Sequence, residues 1–293
     1  RPDSAELQAL AREQGLDFAT MALHQALLAS PRDRAFIDAV NAEPVRPAHA
    51  PANAKILVIP ALFNGHYPET GADAKFAADV ARQCGFEVAT VPIRSVVPSS
   101  VNADLVGEAL TREQAQHLWI FTVSKGTADF RVFLQRNPGH PALARVRGWI
   151  NVCGIVAGCH IADWNTATWA RRLKYAAICR LLGTDYQLLR ELRTDHPWWQ
   201  EPLSIPPAWQ LFNFTAIPLG AHIQTSLIGR YLAIAPGGPN DGMVLCRESL
   251  LEEGPCYPVW GCDHFFRGLE ARVAEDAAEF LADTLATPRE AAR

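Results

Sequence analysis

Three side chains along this 293-residue chain have the types needed for covalent acyl chemistry: Ser124 in TVSKG, Asp241 in NDGMV and His264 in WGCDHFF. A serine hydroxyl is a weak nucleophile at its free pKa. It attacks a carbonyl only when a base within hydrogen-bond reach takes its proton, and that base works best when an acid orients it. Ser124 lies between the apolar run HLWIFTV and the helical pattern TADFRVFLQR, so it stands where a strand gives way to a helix. A nucleophile elbow needs that order, with small residues two positions either side of the nucleophile. Gly126 supplies the second small position, and Thr122 occupies the first. The competing reading of Ser124 is a strand-end serine that caps the next helix.

The base and acid candidates follow later in the chain. His264 comes after the last strand candidate, in a short loop before a helical pattern over RGLEARVAEDAAEFLADTLA. Asp241 sits in the glycine- and proline-rich stretch APGGPNDGMVLCRES, which also reads as an ordinary Asp-Gly turn. Asp163, after VRGWINVCGIVAG, is a second candidate acid, whereas Asp263 adjoins His264 and is expected to point elsewhere. The order Ser, Asp, His, each member at the apparent end of a strand, carries more weight than any member alone.

The elements that must position these residues are legible from periodicity. KILVIPA, FEVATVPI, HLWIFTV, VRGWINVCGIVAG, WQLFNFTAIPL and YPVWG are apolar runs typical of strands covered on both faces. GADAKFAADVARQCG and NADLVGEALTREQAQ have helical character and alternate with the first of them. This alternation predicts an α/β fold with a mostly parallel sheet flanked by helices. Residues 53–160 and 206–293 form the expected core. Residues 161–205, which contain WARRLKYAAICRLLG and YQLLRELRTDHPWW, read as a helical cap inserted between strands. Residues 1–52 read as an N-terminal extension of two or more amphipathic helices, interrupted near Ser30-Pro31, ending in the linker AEPVRPAHAPANA.

Composition narrows the classes of function. A hydrophobic fraction of 49% supports one large core, and a net charge of −4 with intermixed signs offers no basic stripe for nucleic acid. No run reaches the roughly 18 to 20 apolar residues of a membrane span, and RPDSAELQAL is too polar for a signal peptide. The expected location is cytoplasmic. Seven cysteines without CxxC spacing argue for buried free thiols, with Cys256 and Cys262 the one pair near enough in sequence to bridge. His160, Asp163 and His196 match no compact metal spacing, so no metal is expected.

Taken together, TVSKG, NDGMV, WGCDHFF and the segment VIPALFNGHYP after the first core strand give a chain that resembles the α/β-hydrolase superfamily, and more loosely its lipases and esterases. The resemblance spans roughly residues 53 to 285 apart from the insertion. It implies that Ser124 attacks an acyl carbonyl, that His264 shuttles the proton, and that Asp241 holds the imidazole. It also implies that the backbone N–H groups of Leu62 and Lys125 bind the oxyanion, with no cofactor. Ala61 and Thr122 stand where the family's pattern has glycine. Phe63, His66, Trp164 and Trp169 are the pocket candidates, with a plain loop histidine the competing reading of His66 and packing of the cap on the sheet that of the two tryptophans; the expected partner is a partly apolar ester or acyl compound. Acyl transfer or thioester cleavage on the same residues is an alternative. So is a noncatalytic binding protein of this fold, favoured by the two replaced glycines and the N-terminal extension.

Overall fold

A computed structural model describes residues 1–42, 53–65 and 70–266. Six strands form one sheet: β1 (Ala54–Ile59), β2 (Glu87–Thr90), β3 (His117–Val123), β4 (Val146–Val152), β5 (Gln210–Ile217) and β6 (Cys256–Trp260). Their order across the sheet is β2-β1-β3-β4-β5-β6, and every neighbouring pair is parallel. Parallel strands need crossovers, supplied by α4 (Lys75–Gln83), α5 (Ser99–Arg112) and α6 (Lys125–Arg136).

Why these runs form buried strands is visible in β1. Leu57 and Ile59 pack into the core on one face of the sheet with Ile120, Phe130 and Trp149, while Ile56 and Val58 pack on the other with Phe121, Ile150 and Phe214. Alternate residues point to opposite faces, so a strand buried on both sides must be apolar throughout. Lys55, the polar exception, pairs with Glu113 at 2.9 Å. Phe130 of α6 meets the fully buried ring of Trp149 edge-on at 4.8 Å, locking that helix on β4.

The chain leaves β1 towards β2 and then crosses back to β3 on the other side, so the strand order reverses between β1 and β3. Loops at the carboxyl ends of two such strands diverge and open a crevice. The register pairs Ile59 with Thr122, which places Pro60–Leu62 beside Val123 and Ser124.

At the opposite edge lies the N-terminal region: α1 (Ser4–Gln14), α2 (Leu16–Ala29) and α3 (Pro31–Ala42). Leu7, Leu23 and Leu27 share a core with Ile217, Cys246, Leu250 and Cys256, and Phe36 stacks on Phe212 at 5.0 Å. Asp33, fully buried, accepts bonds from Arg1 and from the Cys256 N–H of β6. The helices break at Gly15 and Ser30. They therefore cover the edge strand β6, which would otherwise expose unpaired backbone groups.

Between β4 and β5 come α7 (His160–Thr166), α8 (Trp169–Leu181), α9 (Gln187–Leu192) and α10 (Pro197–Gln200). The last connection, from β5 to β6, carries α11 (Thr225–Ile234) and the loop with Asp241. All seven cysteines are free and buried, so Cys256 and Cys262 do not bridge. Among the described residues no helix is long and apolar enough to cross a membrane. The linker and the C-terminal helical pattern lie outside the described residues, apart from the linker's ends.

Candidate active site

β3 ends at Val123, and Ser124 turns the chain into α6 with φ 50° and ψ −115°. That conformation is sterically costly for any residue with a Cβ and persists only where its surroundings fix it. Here the Ser124 N–H donates to Val152 O at 3.0 Å, and Ser124 O accepts from the N–H groups of Thr127 and Ile155 at 3.1 and 3.0 Å. The turn is thus pinned to the end of β4. Gly126 lies against β1 so closely that an added Cβ would sit 2.2 Å from Ile59 O. No side chain fits at that position.

Thr122 is accommodated by hydrogen bonding. Its Oγ1 accepts from Trp149 Nε1 at 2.8 Å and lies 2.7 Å from Thr127 Oγ1, whose own hydroxyl donates to Asn151 Oδ1 at 2.9 Å. Asn151 Nδ2 donates to Asn213 Oδ1 at 2.9 Å, and Asn213 Nδ2 donates to Leu251 O at 3.0 Å. A chain of satisfied polar groups therefore runs beneath the turn, from β3 across β4 and β5 to the loop before β6.

His264 and Asp241 converge on the serine. His264 Nε2 lies 2.9 Å from Ser124 Oγ, and His264 Nδ1 lies 2.7 Å from Asp241 Oδ2. Asp241 Oδ1 accepts the Met243 and Val244 N–H groups at 2.9 and 2.8 Å, and Asp241 O accepts the His264 N–H at 2.9 Å. Asp241 is fully buried, and Ser124 and His264 are nearly so. The tight turn through Gly242, at φ 95°, lets one carboxylate fold back on its own loop with one oxygen and reach His264 with the other.

No protein-family model matches the chain, and no curated protein matches it. Solved structures do. A metagenomic carboxyl esterase is 16% identical at a TM-score of 0.63, the match covering 83% of this chain and 80% of the esterase. A mature Bacillus licheniformis lipase is 20% identical at 0.54, covering 77% and 89%. A Legionella pneumophila phospholipase is 12% identical at 0.57, covering 80% of this chain and 57% of the phospholipase. At these identities the likeness concerns architecture, and it agrees with the parallel sheet and the sharp strand-to-helix turn. The chain has the α/β-hydrolase fold.

Within this α/β-hydrolase fold the other candidate residues fall into separate places. Asp163 accepts the Thr194 N–H at 3.1 Å and the Thr194 hydroxyl at 2.8 Å, so it fastens the insertion to itself rather than orienting His264. Asp263 accepts the Phe265 N–H at 3.0 Å within its own loop. Leu62 follows β1, between Ala61, whose N–H bonds Ala72 O, and Phe63, whose N–H bonds Ser95 O. Its own N–H has no acceptor among the described residues. Lys125 opens α6, so its N–H lacks an intrahelical acceptor. Phe63 is half-buried at φ 62°. His66 lies outside the described residues.

Of the two tryptophan candidates for the pocket, one is placed elsewhere. Trp169 is 78% exposed on the outside of α8, which removes it from any buried pocket. Trp164 is half-buried and covered by the Arg171 guanidinium, 4.1 Å from the ring centre. His160 Nε2 lies 2.9 Å from Glu248 Oε2.

Sequence reasoning missed three features around the site. Lys125 is almost fully buried and donates to Asp129 Oδ1 at 2.5 Å; Asp129 Oδ2 accepts from Asn102 Nδ2 at 2.7 Å. Burial pushes the Asp129 carboxyl above the usual carboxylate range, opposed by the Lys125 charge and these bonds. Asn102 also bonds both backbone groups of Arg94, next to Ser95, which receives the Phe63 N–H. Polar contacts thus run from the residue after Ser124 to the loop holding Leu62. The i,i+4 spacing of Lys125 and Asp129 was the available signal.

Arg131, likewise buried, donates to the carbonyls of Val156, Trp198 and Glu201 at 2.6, 3.0 and 2.7 Å, and desolvation lowers its pKa to about 10. Cys153, at φ 44°, has its Sγ within 4.8 Å of ligand atoms of both Asp241 and His264. Burial, aided by the Asp241 charge, raises that thiol well above its ordinary range. It stays protonated, which disfavours it as a nucleophile.

Proposed function

We propose that this chain is a serine hydrolase that cleaves carboxylic esters through an acyl-enzyme on Ser124. The observation carrying this reading is the unbroken hydrogen-bond line from Ser124 Oγ through His264 to Asp241, set on a strained turn. With Asp241 as a carboxylate, His264 Nδ1–H donates to it and leaves Nε2 as the acceptor for the serine proton. Ser124 Oγ then bonds the acyl carbon as its proton passes to Nε2. The carbonyl π pair moves to oxygen, and the N–H groups of Leu62 and Lys125 receive the oxyanion. Collapse expels the alcohol, which takes the proton from His264. Water, deprotonated by the same nitrogen, then releases the acid and restores Ser124.

The substrate class draws support from the similar structures, which are a carboxyl esterase, a lipase and a phospholipase. The Thr122 network weakens the case for a noncatalytic protein, because the replaced glycine is compensated by bonds beneath the turn. Purified chain assayed on p-nitrophenyl esters of increasing acyl length is expected to turn over at least one of them, and Ser124→Ala to abolish that turnover with the fold intact. Activity that survives Ser124→Ala would remove the nucleophile from this position.

A further inference from the structure

The exposure of Trp169 has company. Leu173 is 65% exposed and Leu181 86%, so three of the large exposed apolar residues fall at the start, middle and end of one helix, and Leu182, 57% exposed, caps it. At 100° per residue, Trp169, Leu173, Ala176, Ala177 and Leu181 occupy an arc of about 140° on α8. Arg172 and Lys174 flank this arc, and Arg180 lies within it near the last turn. Cys179 faces the protein and is buried, with Tyr175 and Ile178 half-buried beside it. From Trp169 to Leu181 the helix has four cations and no acid. Among the described residues none of these cations forms an ion pair.

We propose that the outer face of α8 docks on an anionic lipid surface, with Trp169, Leu173 and Leu181 entering the headgroup boundary and Arg172, Lys174 and Arg180 meeting lipid phosphates. An apolar strip of this width bordered by cations has the pattern of a helix lying in a membrane interface. Tryptophan fits that boundary because its ring is apolar and its N–H is polar. Long basic side chains bury their stems and lift their charge to the phosphates, so Arg180 within the strip is no obstacle. Charge decides against a second copy of this chain. A two-fold dimer through this face would bring each cation-bearing helix against its own copy with no acid on either, whereas an anionic surface complements it. This inference does not depend on the ester chemistry at Ser124.

The test is sedimentation of the full chain with vesicles of phosphatidylcholine alone and of phosphatidylcholine mixed with phosphatidylglycerol. Binding to the mixed vesicles, weakened by salt and slight on the neutral ones, is expected. Trp169→Ser with Leu173→Ser should abolish it, and Lys174→Gln with Arg180→Gln should weaken it by about five-fold for each charge removed. These side chains are exposed, so thermal melting should stay close to wild type. Failure of the wild type to sediment with the mixed vesicles, or equal binding by the variants, overturns the proposal. Light scattering that shows a dimer dissolved by Trp169→Ser with Leu173→Ser would instead assign the face to a second copy.

Discussion

Beneath Ser124 the buried side chains of Thr122, Thr127, Asn151 and Asn213 bond one another in sequence, whereas the helices from α7 to α10 pack on the core through apolar side chains such as Ile161, Leu188, Leu192 and Trp199 and bond to it at separate polar points. Among those polar points are Arg131 on three carbonyls, Glu191 on Ser100, His160 on Glu248 and Thr184 on Val96. The two candidate acids reflect this difference. Asp241 is fully buried and bonded both within its loop and to His264, so it has one geometry; Asp163 is partly exposed and spends its oxygens on Thr194. A carboxylate orients a catalytic base only where the chain around it is fixed. The carboxyl edge of the sheet gives Asp241 that fixity, whereas Asp163 stands on a partly exposed part of the insertion.

The largest contrast is expected between those acids. Asp241→Asn should lower turnover by about 10,000-fold, because the amide favours the wrong imidazole tautomer. Asp163→Asn should leave turnover near wild type; the reverse ranking in an ester assay would collapse the distinction between edge and insertion. Next comes the anchor: Arg131→Met removes a charged donor from the carbonyls of Val156, Trp198 and Glu201, the first of them a buried contact, and should cost about 2 to 3 kcal/mol, read as a shifted urea midpoint.

A narrower challenge installs the glycine of the nucleophile-elbow pattern. Thr122→Gly strips the acceptor from Trp149 Nε1 and should destabilise the protein by about 1 to 3 kcal/mol, even though it completes the sequence motif. A gain in stability would mean the network beneath the turn is incidental.

The smallest effect concerns His160. Its hydrogen bond and charge interaction with Glu248 raise its pKa above 6.5. The charged pair therefore adds stability below the unfolded value, and that contribution fades as pH rises through the folded one. His160 is partly exposed, so the contribution is modest. His160→Gln should lower the melting temperature more at about pH 5 than at about pH 9. Equal shifts at both would assign the residue a packing role.

Much of the sheet was legible because a strand buried on both faces must be continuously apolar, as KILVIPA and HLWIFTV are. Ser124 and His264 follow strand ends as their sequence context suggested, whereas Asp241 was expected at a strand end and lies instead in the loop after α11, well beyond the end of β5 at Ile217. Their distances were not legible, since residues 124, 241 and 264 meet only after the sheet is assembled. The same holds for the Thr122 network, for Cys153 beside Asp241, and for the N-terminal helices covering β6, where Asp33 joins Arg1 to Cys256. Trp169 shows the opposite error. An aromatic in a helical insertion suits a pocket or a surface equally well by residue type, and the periodicity of Leu173, Ala176, Ala177 and Leu181 distinguishes the two.

Whether Ser124 is an activated nucleophile can be read from the intact mass of the chain after treatment with a fluorophosphonate. One phosphonyl adduct is expected per wild-type chain, located on the peptide containing Ser124, and none on a folded Ser124→Ala variant. An adduct that persists in Ser124→Ala, or a wild type that hydrolyses esters yet stays unlabelled, would show that the hydroxyl held by His264 is not the reacting group.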